Sequence, residues 1–121
     1  MAAGVAQIPW YATLFRGDKF AAALEEIAPI ATRYGATEYR VYRNRDDMYK
    51  FTHLISFNEK VDFEAYWYGR EFNQWRAAYS SWYQVPVLYT WNDLIIEGGL
   101  HAAEPVTASG SATGSDAQAA S

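Results

Sequence analysis

The chain has 121 residues, among them five Trp, ten Tyr and six Phe, and a formal net charge of −4 from 10 Lys and Arg against 14 Asp and Glu. That length makes one domain with a limited buried fraction, to which a second copy would add buried surface. No apolar run approaches the roughly 20 residues of a membrane-spanning helix, and the lack of cysteine excludes disulfides, thiolate nucleophiles and thiolate metal sites.

Residues 1–7 read as a flexible N-terminus. MAAGVAQIPWY has neither a basic start nor a long apolar stretch, so no secretory signal is legible and a cytoplasmic location is expected. The first strand is expected at Pro9 to Phe15, with Trp10, Ala12 and Leu14 facing one way and Tyr11, Thr13 and Phe15 the other. Arg16-Gly17-Asp18 then turns the chain, with Asp18 placed to cap a helix. Along that helix Phe20, Leu24, Ile27, Ala31 and Tyr34 recur every three or four residues as one apolar stripe. Pro29 should bend it and Gly35 should stop it.

Thr37 to Arg43 and Met48 to Phe57 form a hairpin about Asn44-Arg45-Asp46-Asp47. Tyr49, Phe51, His53, Ile55 and Phe57 share one face of its second strand, opposite Lys50, Thr52, Leu54 and Ser56. Asn58 or Asp62 can cap the next helix. A continuous helix would set Phe63, Tyr66 and Trp67 on nearly the opposite side from Phe72, Trp75, Tyr79 and Trp82, so a bend at Gly69 is expected, giving helices at about 61–69 and 71–82 with Arg70 at the joint. Val85 to Ile96 is the last strand. From Gly98 the chain turns to Ala, Ser, Gly and Thr, and residues 98–121 read as a disordered tail, with docking of a protein partner as the functional alternative.

The order β-α-β-β-α-β over residues 8–97 implies an α+β, ferredoxin-like domain: a four-stranded antiparallel sheet, helices on one face, and a second copy covering the other. The strand WYATLF, the helix DKFAAALEEIAPIATRYG, the hairpin TEYRVYRNRDDMYKFTHLISF, the run FNEKVDFEAYWYGREFNQW and the final VPVLYTWNDLI together resemble the dimeric α/β-barrel superfamily, in particular its antibiotic-biosynthesis-monooxygenase-like members. The resemblance implies a homodimer with a ligand cavity between each sheet and its helices. It also implies a small hydrophobic or aromatic ligand, with cofactor-independent oxygenases, haem-degrading enzymes and isomerases among its activities. Some members use an Asn on the first strand; this first strand has none, so their catalytic set does not carry over residue by residue.

His53, on the apolar face of a central strand, is a candidate general base or haem ligand, and equally a core histidine bonded to a neighbour. Tyr39 is a second candidate base. Trp67, Phe72, Trp75, Tyr79 and Trp82, with Arg70 beside them, are candidate ligand-binding residues whose helical spacing also suits a core. In an oxygenase these groups would take a proton from an electron-rich phenol or enol and shield the resulting anion. Arg40, Arg43, Arg45 and Lys50, beside Asp46 and Asp47, read as a solvated turn, with a phosphate or carboxylate contact as the alternative. Tyr11, Tyr49 and Phe51 could imitate an RNA-binding sheet, but the acidic charge and the missing Gly-containing aromatic signature argue against a nucleic acid partner. Glu97 and His101 flank Gly98-Gly99, a poor frame for a metal, and no metal site is expected. The alternative to small-molecule binding is a non-catalytic assembly module whose exposed aromatics and tail dock a partner.

Overall fold

The computed structural model describes residues 3–100. Strand β1 (Gly4–Tyr11) leads to helix α1 (Gly17–Ile27) and a 3-10 segment over Ala28–Tyr34. Strands β2 (Glu38–Arg43) and β3 (Lys50–Phe57) form the hairpin, followed by helices α2 (Lys60–Trp67) and α3 (Arg70–Ala78) and strand β4 (Thr90–Asp93). All pairings are antiparallel in the order β2-β3-β1-β4. Among the described residues no helix is long and apolar enough to cross a membrane.

The period-2 pattern decides which face is covered. Gly4, Ala6, Ile8 and Trp10 of β1 and Phe51, His53, Ile55 and Phe57 of β3 are buried beneath the helices. The other face carries Val5, Gln7, Pro9 and Tyr11 beside Thr52, Leu54 and Ser56, a mixed surface rather than a wholly apolar one.

Several boundaries differ from expectation. β1 starts at Gly4, so residues 4–7 are strand rather than flexible leader, while Leu14 and Phe15 leave the sheet and stand exposed in the turn. Pro9 lies past Gln7, the last residue β4 pairs with, so its missing N–H removes no bond from that ladder. α1 ends at Ile27 because Pro29 cannot donate to the preceding turn; the chain tightens to 3-10 geometry and stops on Gly35 at φ +99°. Neither Asp18 nor Asn58 nor Asp62 caps a helix: the N-caps are Arg16 and Glu59, without side-chain cap bonds, and Asp18 pairs with Arg43 at 2.9 Å. The expected β4 shrinks to four residues, with Val87 and Tyr89 packed on the core ahead of it and Val85 exposed. Residues 101–121, and with them His101, lie outside the described residues.

β1 and β4 approach closely at Gly4. A Cβ there would collide with the Asn92 carbonyl and lie 2.7 Å from the Trp91 ring. Gly4→Ala is therefore expected to lower stability by about 1–3 kcal/mol, visible as a lower thermal midpoint; an unchanged midpoint would mean that β4 is not held there.

Candidate functional site

The aromatic segment packs as a solid. Trp10 is its hub, with Tyr83, Trp75 and Phe20 rings at 5.1, 5.4 and 5.6 Å and Trp67 and Phe72 both at 6.3 Å. Its polar tips are bonded to the helix layer. Trp75 Nε1 donates to the Ala23 carbonyl at 2.8 Å and Tyr66 Oη to the Ile27 carbonyl at 2.6 Å, which ties α2 and α3 to α1 and satisfies a carbonyl at the α1 end. Burial pushes the Tyr66 phenol pKa far up, so it stays a donor.

The candidates separate into three environments. Trp67, Phe72 and Trp75 are buried core residues. Tyr79 and Trp82 are half-buried at its border, their rings 4.7 Å apart, and Tyr79 donates to Glu26 at 2.8 Å, a bond that raises its pKa. Arg70 is exposed at the start of α3. The cation in contact with the aromatics is Arg76 instead, its guanidinium 4.0 Å from the Trp67 ring and 4.8 Å from Phe72. Arg76 Nη2 donates to the Trp67 carbonyl and to Asn73 Oδ1, at 2.8 and 2.6 Å. Desolvation lowers the Arg76 pKa. Its position four residues after Phe72 was the available sequence signal.

His53 is completely buried, and its Nδ1 accepts a hydrogen bond from Trp10 Nε1 at 3.3 Å. Burial alone holds its pKa down at about 3, so the ring is neutral at physiological pH. With Nδ1 occupied, the ring offers no free lone pair for a general base or an axial iron ligand, and its enclosed position leaves no open face for a haem. Tyr39 stands apart from it, on the edge strand β2 and 41% exposed.

Tyr39 borders a cleft of about 450 Å³ between α1, the 3-10 segment and β2. The buried Leu24 and Phe51 with Val41 form its apolar base, Ala21, Ala28 and Pro29 line it from the helix side, and the charged Glu25, Arg40 and Arg43 also border it. Arg43 is already fixed, Nε donating to the Met48 carbonyl at 2.7 Å and Nη1 to Asp18 at 2.9 Å, with its guanidinium 5.2 Å from the Phe51 ring. Of the other hairpin cations Arg40 pairs with Glu38 at 3.3 Å, and the turn itself is ordered by Asn44 Oδ1 accepting from the Asp46 and Asp47 backbone N–H groups. Phe51 is buried on the helix side while Tyr11 faces out, so Tyr11, Tyr49 and Phe51 do not make one stacking surface. Among the described residues no three His, Asp or Glu side chains converge as a metal site.

No family model and no curated protein sequence matches the chain. Solved structures do. A candidate antibiotic biosynthesis monooxygenase from Nitrosomonas europaea superposes with a TM-score of 0.72 at 15% identity, over 81% of this chain and 95% of its own. Another from Bordetella bronchiseptica gives 0.69 at 12%, over 79% and 100%, and a Nitrosomonas europaea protein of unknown function gives 0.69 at 14%, over 84% and 98%. At these identities the likeness is one of fold, and the chain has the ferredoxin-like fold of the antibiotic-biosynthesis-monooxygenase-like proteins.

Proposed function

We propose that the protein is a homodimer that binds a small hydrophobic or aromatic molecule in the α1–β2 cleft and, like the monooxygenases its fold resembles, oxidises it without a cofactor. The observation that carries this reading is the cleft: about 450 Å³, apolar at its base, with the Tyr39 phenol at its mouth. A phenol or enol held there would bond its oxygen to Tyr39. After it loses its proton to solvent at the open side of the cleft, its carbanion form would reduce dioxygen, combine with it, take back a proton as a hydroperoxide, and lose water to leave a carbonyl. The aromatic segment supplies the rigid wall behind the cleft rather than its lining.

Ala21 is half-buried on the cleft wall, at the outer edge of the core it packs against. Ala21→Trp should fill the cleft and weaken binding of 2-naphthol by about tenfold or more by calorimetry, in a variant that still unfolds cooperatively. Oxygen uptake with the same phenol, no cofactor added, tests the oxidation. Failure of 2-naphthol to bind, or binding that Ala21→Trp leaves intact, would overturn the cleft assignment, and a monomer at micromolar concentration would overturn the dimer.

A second reading has its own observation. Ile95 and Ile96, just past β4, are 90% and 85% exposed, and Leu100 beyond them is 96% exposed. In a non-catalytic assembly module this segment and the tail after it would dock a protein partner. Ile95→Asp with Ile96→Asp would then abolish an assembly while leaving cleft binding untouched.

A further inference from the structure

Packing gives the two nitrogens of His53 opposite roles. An indole N–H can only donate, so Trp10 makes Nδ1 the acceptor, and a neutral imidazole accepting at Nδ1 carries its proton on Nε2. That Nε2–H is buried and, among the described residues, has no hydrogen-bond partner. A donor buried without an acceptor is costly, and native proteins retain few of them.

Its place in the sheet says what could answer it. Val41 stands opposite His53 in the β2–β3 register, and Phe51 precedes His53 by two residues on the same face. Val41 and Phe51 line the base of the cleft together with Leu24 of α1. Residues directly opposite in an antiparallel pair have Cβ atoms about 5 Å apart, so His53 is the immediate neighbour of a residue that lines the cleft.

We infer that His53 Nε2 is the polar anchor of the cleft, donating a hydrogen bond to the uncharged carbonyl oxygen of an otherwise apolar ligand that reaches it when Val41 and Leu24 change rotamer. This rests on the cleft reading above. The acceptor is a ketone or quinone oxygen rather than a carboxylate, because a neutral imidazole supplies no charge to offset a buried anion. His53 is then a specificity-determining donor and not a base.

Two ligands of nearly identical shape test this on the full chain: 2-acetylnaphthalene, and 2-isopropenylnaphthalene, in which C=CH2 replaces C=O. The wild type should bind the ketone about tenfold more tightly. His53→Leu should lose that preference while keeping its affinity for the hydrocarbon. In the wild type the 15N resonance of His53 Nε2 should move with the ketone and not with the hydrocarbon, a readout that needs no variant to fold. Equal affinities, both reduced by Ala21→Trp, with an unmoved resonance would overturn the anchor and leave the cleft standing. If neither compound binds, or Ala21→Trp changes nothing, the cleft itself is overturned and the anchor with it.

Discussion

Trp10→Ala is expected to remove about 3–5 kcal/mol of stability, the range for losing a buried Trp, and to lower the urea midpoint accordingly. Trp10 is 1% exposed and five aromatic rings pack around it, from β1 itself outward to α1, α2, α3 and the segment before β4. Those rings belong to four separate pieces of chain, so none can collapse into the void without dragging its own element. A domain of this size is stable by about 5–15 kcal/mol in all, and the variant should stand near the edge of folding. Trp10→Phe retains most of the ring contacts but leaves His53 Nδ1 with no donor, and should cost about 1–3 kcal/mol. A loss below about 1 kcal/mol for Trp10→Ala would mean that the aromatic cluster is held by other contacts.

The same residues show where sequence reasoning reaches and where it stops. The alternation of Phe51, His53, Ile55 and Phe57 is local, so the apolar face of β3 could be read directly, but not whether the helices or a second copy would cover it. The break at Gly69 was legible because two apolar stripes cannot share one straight helix, and α2 and α3 do part there. β1 was displaced because its inward positions begin with Gly4 and Ala6, residues too small to signal a buried face; they are small because Trp91 and the Asn92 backbone press against that end. A cavity between sheet and helices was implied by the resemblance alone, but the residues that line it were not legible. It arises where Leu24 of α1 faces Val41 of β2, an apposition that only the folded chain creates. His53 could be placed on an apolar face, but the roles of its two nitrogens depend on Trp10, which stands diagonally across the sheet, opposite Phe51.

That histidine should also make the fold acid-sensitive before the carboxylates do. In the unfolded chain its pKa is the ordinary 6.5, and in the folded protein burial holds it at about 3. Between those values the unfolded state binds one proton more than the native state, so unfolding free energy rises with pH. The contribution is complete above pH 6.5 and is lost as the pH falls toward 3, at about 1.4 kcal/mol per unit. Glu71, whose pKa the Tyr34 hydrogen bond lowers from 4.5, contributes mainly below that value, so the slope between pH 6.5 and 4.5 is chiefly histidine's. Across those two units urea unfolding of the wild type should lose about 2 kcal/mol, because the unfolded histidine is already half protonated at pH 6.5. His53→Leu keeps similar volume, removes the titration, and should flatten that slope whatever its own stability at neutral pH. His101, the other histidine in the chain, provides the internal control, because a slope that survived His53→Leu and vanished with His101→Ala would assign the proton to the wrong residue. A slope carried by His53 would show that the buried ring is neutral in the native state, the condition under which its Nε2 acts as a donor.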